Sequence, residues 1–441
     1  MQPRIGLINI GHPDYPNEIG AALALQAVEA LGHRGIDIVW DGCVCTDPLT
    51  ACERGREMCG QRLDGAIVWL GTWIECSTAV AAIREIEHLP FAIWGFNMLE
   101  VEGRRESTGS FVAAAVLKGS LERMGYRFPT ILGLPGDESA LTAAVDFSHA
   151  AYAAGRLKRT RLGLVGYASM SMYPGTFDHA LLRRHIGPEV VHIDTYTLVR
   201  IAEQASEEAV RRAAAEISAR ARTQVSPERL QKAARLAVAL ETLATRHGLQ
   251  ALNVKCQYEL SQEWGMTPCV ALSLLADKGI ACGCEGDVPA SVTMCLLSYL
   301  QDDAVVFYGD ILDLQGDEML LSSCGFAPLS LAHEPEGATV RELGHPGFDG
   351  IICSCTMKEG PVTFARLVEG RGDPHLVFGT GTGLPGELRQ GRFPALQVRL
   401  DGDPERLLES LSSQHFAVCY GDASRRIEKL CAVLGIEAQR V

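Results

Sequence analysis

Ala251-Leu-Asn-Val-Lys-Cys256 and Ile280-Ala-Cys-Gly-Cys284 are two short, mostly apolar runs separated by a stretch, 265–278, of helical character. Apolar runs of this length suit strands buried on both faces, and a helix between two such strands makes a parallel pair. Working upstream, a long helix is expected after Ser226, with Pro227 at its first position and Gly248 as its stop. Leu230, Ala234, Leu240 and Leu243 roughly follow its spacing. Two more strands, 162–165 and 190–194, precede it. Residues 1–155 repeat the pattern, with apolar strands at 5–10, 36–40, 65–70 and 91–94 and helices between them, the clearest at 108–124 before Gly125. After about residue 303 the texture changes. Strands are expected at 305–308, 319–323, 350–355, 362–368, 376–378 and 396–400, linked by turns, and two helices close the chain. The expected fold class is α/β: two Rossmann-like parallel-sheet domains (1–158 and 159–302) followed by a β-rich, barrel-like C-terminal domain (303–441).

Composition narrows the function classes. The chain has 441 residues, 47% of them hydrophobic and 21% charged, as in globular proteins. Its formal charge of −14 disfavours a nucleic-acid partner. Neither a secretory-type apolar segment nor a membrane-length apolar run is evident, so the expectation is a cytoplasmic protein without a membrane partner. Fifteen cysteines, an odd number, argue for reduced thiols. The pairs Cys43/Cys45, Cys282/Cys284 and Cys353/Cys355 lie in or beside strand-like stretches, where i and i+2 share a face. Buried structural thiols are favoured over zinc ligands there.

Two acids stand just past strand ends. Glu259 follows the first quoted run, and Asp287, in Cys284-Glu285-Gly286-Asp287-Val-Pro289, follows the second. Ligands of open parallel sheets bind beyond the carboxyl ends of strands, and two carboxylates meeting there invite a divalent cation. On spacing alone, Asp287 could equally cap the helix that begins near Pro289, and Glu259 could be a plain loop acid. Trp73, Glu75, Trp94 and Asn97 end strands of the first domain, and Tyr167 ends one in the second; all suit either sugar binding or packing. Gly379-Thr-Gly-Thr-Gly383 mimics a phosphate loop but lacks the strand–loop–helix setting. No Gly-x-Gly-x-x-Gly follows the first strand, which removes the dinucleotide reading.

Lys255-Cys256-Gln257-Tyr258-Glu259, Cys284-Glu285-Gly286-Asp287, Asp310-Ile-Leu-Asp313, Cys324-Gly-Phe-Ala-Pro328 and Gln414-His415-Phe-Ala-Val-Cys-Tyr420 together resemble the L-fucose isomerase family. The resemblance is specific in the second half of the chain and architectural in the first. It implies Glu259, Asp287 and His415 as metal ligands, and Glu259 and Asp287 also as acid/base groups. It implies Mn2+ as the ion, with Mg2+ or another divalent ion as the alternative. The implied reaction is aldose–ketose isomerisation of a hexose, deoxyhexose or pentose through an enediolate. A homo-oligomer is implied, with a hexamer as the expected state, in which the first domain of one subunit covers a neighbour's site. Trp73, Trp94, Asn97 and Tyr167 are the expected sugar contacts. Departures from the pattern, Ser323 where relatives carry histidine and the pair Gln257-Tyr258, fall near the pocket. They keep open an isomerase or epimerase of an anionic (sulfonated or carboxylated) sugar. A non-catalytic sugar-binding protein is the reading from another class.

Overall fold

The computed structural model describes residues 2–334, 337–370, 372–388 and 392–441. The chain divides into two compact units, Met1–Arg156 with Arg425–Gly435, and Leu157–Ser424 with Ile436–Val441.

The first unit is built on a parallel sheet. Its central strands, Arg4–Ile10, Gly65–Leu70 and Phe91–Gly95, are flanked by Asp37–Val39 and Thr130–Leu132, and Val44–Cys45 also joins Arg4–Ile10. Gly65–Leu70 is buried along its whole length, the signature of a strand covered on both sides. Helices pack on each face. One core layer contains Ile8, Val68, Ile93 and Leu117, and the other Leu7, Trp69, Trp94 and Phe147.

The second unit joins a parallel sheet to a barrel. The sheet runs Glu189–Ile193, Arg161–Val165, Ala251–Val254, Ala281–Cys284, all parallel. The helix Pro227–His247 starts at Ser226, whose Oγ accepts from the Arg229 amide, and stops at left-handed Gly248. Six antiparallel strands then close on themselves: Gly360–Val368, His415–Tyr420, Phe307–Gln315, Glu318–Ser322, Ala395–Leu400 and His375–Leu384. Closure removes the exposed edges that an open antiparallel sheet would carry. The fold class expected from sequence is the one observed, and the parallel sheet and barrel of the second half form one compact unit.

Local departures have local causes. The segment read as a barrel strand near 350–355 is Ile351–Ser354, which instead belongs to a small separate sheet with Thr339–Glu342 and Arg222–Thr223. The glycine-rich decoy at 379–383 lies inside the strand His375–Leu384. All fifteen cysteines are free thiols. Among the described residues, no helix is long and apolar enough to cross a membrane.

Candidate metal and active site

The turn after Ala281–Cys284 creates the site. Glu285 and Gly286 are both left-handed, with φ of 65° and 76°, and they swing the chain directly into the helix Val288–Leu300. Position 286 needs glycine, because a Cβ there would lie 2.2 Å from the Tyr167 carbonyl oxygen. Asn253, on the neighbouring strand, accepts from the Gly286 amide at 2.7 Å and donates to the Asp287 carbonyl at 2.9 Å. Glu285 and Asp287 therefore leave the sheet edge in fixed positions. Asp287 also caps the helix, its Oδ1 accepting from the Ala290 amide at 3.0 Å.

The barrel supplies the remaining groups. His415, fully buried, places Nδ1 2.8 Å from Asp287 Oδ2. Its Nε2 faces Glu285 Oε2 at 3.3 Å and Asp310 Oδ1 at 3.2 Å. Asp310 and His415 are directly paired across adjacent antiparallel strands, so one cross-strand position delivers both. Arg366, on the strand at the other side of His415–Tyr420, donates from Nη1 to Asp287 Oδ2 at 2.5 Å and from Nη2 to the Pro174 carbonyl at 2.8 Å.

Charge dominates this cluster. Burial would raise the Asp287 pKa, but Arg366 and His415 overcome it and hold the carboxyl down at about 2. Glu285 is also lowered, with burial opposed chiefly by His415. Burial alone would favour neutral imidazole at His415, yet Asp287, Asp310 and Glu285 together raise its pKa well above the ordinary value. Three carboxylates outnumber the guanidinium and the imidazolium together, and the excess negative charge draws a cation. Glu285, Asp310 and His415 each offer a donor atom within 4.8 Å of the others. Two carboxylate oxygens and an imidazole fit a divalent ion of the manganese type. The Asp287 contact at Nδ1 is the kind of carboxylate support that fixes the tautomer of a ligating histidine.

Glu259 lies at the adjacent strand end, in the single π-turn Glu259–Glu263 that follows left-handed Tyr258. Its Oε1 accepts from the Tyr167 hydroxyl at 3.0 Å, and its Oε2 is paired with the fully buried Lys255 ammonium. Lys255 also lies over the Tyr167 ring, 4.2 Å from its centre. Burial works against the charged form of Glu259, but Lys255, then its own backbone amide and then Tyr167 prevail, so its pKa is lowered. Two residues earlier, Gln257 donates to Glu285 Oε1 at 2.9 Å and ties this wall to the His415 cluster. Among the described residues, neither Glu259 nor Asp287, both expected as ligands, is in the donor groups that converge within 4.8 Å; of the three expected ligands only His415 is. The structure thus brings Asp287 and His415 together, keeps Glu259 beside Tyr167, and adds Glu285, Asp310 and Arg366.

A cavity of about 260 Å³ opens beside Glu285, lined also by Gln257, Met170, Cys324, His345 and Phe348. A larger groove, about 610 Å³, runs between helices Glu207–Arg220 and Pro227–His247, but it is open, and among the described residues no converging donor set lies in it. Ser323, the position that departs from the family pattern, is buried and bonds the Phe326 carbonyl. In the first unit, Trp94 corrects an expectation. It is fully buried, its indole N–H donates to the Gly133 carbonyl at 2.9 Å, and it packs edge-on against Trp69, so it offers no face to a sugar. Trp73 is half-buried against the opposite core layer, the one with Ile8 and Val68, and Asn97 is exposed.

Of the groups added, Glu285 and Asp310 stand inside quoted motifs, but their roles depend on where the barrel places His415. Arg366 had a signal of its own. A charged residue in the apolar strand Gly360–Val368 has to find a buried partner.

No family model matches the chain. The chain is 25% identical over 371 residues to a sulfoquinovose isomerase of Clostridium sp. (strain MSTE9), a match covering 81% of this chain and 82% of that protein. Sulfoquinovose isomerases of Priestia aryabhattai and Priestia megaterium are each 22% identical over 391 residues, covering 86% of this chain and 86% of theirs.

Proposed function

We infer that this chain is a metal-dependent aldose–ketose isomerase whose substrate is a sulfonated sugar of the sulfoquinovose type. The observation that carries the reaction class is His415 meeting Glu285 and Asp310 at one nitrogen and Asp287 at the other, at the carboxyl edge of a parallel sheet. The substrate class is taken from the sulfoquinovose isomerases that the chain resembles along more than four-fifths of its length. It also agrees with a pocket whose motifs depart from those of neutral-sugar relatives.

His415 is the imidazole ligand in this reading. Asp287 is assigned to the centre on the family resemblance and on its contact with Nδ1, while Glu285 and Asp310 are assigned on their approach to Nε2. A divalent cation, with manganese as the assignment, would polarise the carbonyl and stabilise the negative charge that develops on the two substrate oxygens. The chain's own groups do the rest. Arg366 keeps Asp287 ionised, and Asp287 holds the imidazole in orientation. Glu259, kept ionised by Lys255 and Tyr167 yet partly exposed, is the base that takes the proton from one carbon and returns it to the next.

Turnover of sulfoquinovose by the chelator-treated protein, before and after Mn2+ is restored, tests this reading. Ketose formation that depends on Mn2+, and a kcat/KM for sulfoquinovose well above that for glucose, is the expected result. Full turnover without metal, or in Glu259→Gln, would sink it. Metal content of Glu285→Gln and Asp310→Asn, set beside Glu259→Gln and Asp287→Asn, separates ligands from proton carriers.

A further inference from the structure

The chemistry above uses no thiol, yet a second donor group lies on the far side of Glu285. Cys284 Sγ and Cys324 Sγ are 3.8 Å apart, and Cys324 Sγ is 3.0 Å from Glu285 Oε1. Ligand atoms of all three residues lie within 4.8 Å of one another. Glu285 is common to both groups: Oε1 meets the thiol, and Oε2 meets His415 Nε2. Two sulfurs bound tetrahedrally to zinc at about 2.3 Å stand about 3.8 Å apart, whereas a disulfide requires about 2.05 Å. The pair is therefore too far apart for a covalent bridge and at a spacing that a shared metal would accept. Access exists as well, since Cys324 is partly exposed and lines the 260 Å³ cavity together with Glu285, Cys256 and Cys269.

We propose that Cys284, Cys324 and Glu285 form a second cation site, for a thiophilic divalent ion such as zinc or cadmium, which shares Glu285 with the His415 cluster. On binding, each thiol releases its proton to solvent, two metal–sulfur bonds and one metal–oxygen bond form, and no electron changes hands. Softness separates the two sites: thiolates prefer zinc or cadmium, whereas the oxygen-rich side prefers manganese. A soft ion would hold Glu285 by Oε1 and draw it from the neighbouring centre, so zinc acts as an inhibitor. Inhibition rests on the function proposed above; binding does not.

The test is a titration of the full-length, reduced, chelator-treated protein with Cd2+ alone, followed by its ultraviolet sulfur-to-cadmium charge-transfer absorbance. The expected result is one tight equivalent, with affinity about tenfold to a hundredfold weaker in Cys324→Ser and in Cys284→Ser. Cys284→Ala, which buries no new hydroxyl, serves if the serine variant does not fold. Cys59→Ser, which removes an exposed thiol far along the chain, should leave the tight equivalent intact. Unchanged affinity and absorbance in both site variants overturns the proposal. In the second arm, isomerase activity at saturating Mn2+ is titrated with Zn2+. The inhibition constant should rise about tenfold in Cys324→Ser relative to wild type. Equal sensitivity of the two proteins overturns the sharing of Glu285. A protein that binds Cd2+ at the thiol pair but isomerises no sugar refutes the proposed function and leaves the second site standing.

Discussion

Both units of this chain carry a parallel sheet with apolar central strands, yet the carboxyl edges of the two sheets are put to different uses. In the first unit the edge is sealed by its own backbone. The Gly71 amide donates to the Ile10 carbonyl at 2.9 Å, and Gly20, near the start of the helix Asn17–His33, packs directly on Gly71. Local caps absorb part of the polar surface there, since Asn17 bonds the His12 carbonyl and Thr72 bonds the Trp73 carbonyl, while the buried Asn9 amide beside Gly71 has no partner among the described residues. In the second unit the strand ends in left-handed Glu285 and Gly286, followed at once by Asp287, and a barrel built from the following chain brings an imidazole, a guanidinium and a third carboxylate to it. A parallel sheet supplies a place for chemistry. What fills that place is decided by the turn residues and by whatever element closes over them.

The largest effect should follow from breaking the occupied edge. His415→Ala is expected to lower kcat/KM about a thousandfold, or about 4 kcal/mol of transition-state stabilisation, with metal content falling in parallel. Steady-state kinetics and metal analysis check it together. Retained metal and retained turnover in that variant would place the centre elsewhere.

Next comes the buried pair. Arg366→Met leaves the Asp287 carboxylate buried without its guanidinium. The expected cost is about 3 kcal/mol in urea unfolding, the lower end for such a break because His415 remains beside the carboxylate. The same pair sets an acid limit. The Asp287 pKa of about 2 lies below its ordinary 3.8, so its stabilisation is present above about pH 4 and is lost as pH falls through the folded value. For a group this buried the loss amounts to about 2 kcal/mol. Unfolding of chelator-treated protein between pH 5 and pH 2.5 should show it, and Asp287→Asn should flatten the slope.

How far these differences were legible follows from the same physics. The central strands of both sheets announce themselves as short apolar runs, because burial on both faces permits little else. Thr130–Leu132 does not, since three residues carry no measurable period. Asp287 and Glu259 could be picked out as acids at strand ends, but Asp287 as helix cap and Asp287 as partner of His415 are one residue in two roles, and the structure shows both. Asp310 depends on barrel register, which only the closed sheet fixes. Trp94 shows the opposite failure. A buried aromatic near a strand end carries no mark in sequence that tells it from a binding residue.

Breaking the sealed edge should cost stability without reaching the chemistry. A Cβ on Gly20 would lie 2.6 Å from Gly71 backbone atoms, which cannot swing away as a side-chain tip could. Gly20→Ala is expected to destabilise by about 1.5 kcal/mol through overpacking. Its thermal midpoint should fall while turnover per folded molecule stays near wild type.

The smallest effect belongs to the wall between the two carboxylate positions of the second sheet. Tyr167→Phe removes the 3.0 Å hydrogen bond to Glu259 and the one the hydroxyl accepts from Lys255 Nζ at 3.0 Å, while Lys255 remains paired with the other Glu259 oxygen. A single bond to a partly exposed acid is worth about 1 kcal/mol, so kcat/KM should fall about fivefold. The sign of the pH effect is more informative than its size. The Tyr167 hydroxyl is among the groups that lower the Glu259 pKa, so removing it lets that pKa rise. If Glu259 acts as the base, the acid limb of the kcat/KM profile then moves to higher pH in Tyr167→Phe, whereas a purely structural tyrosine would lower the plateau and leave the limb in place.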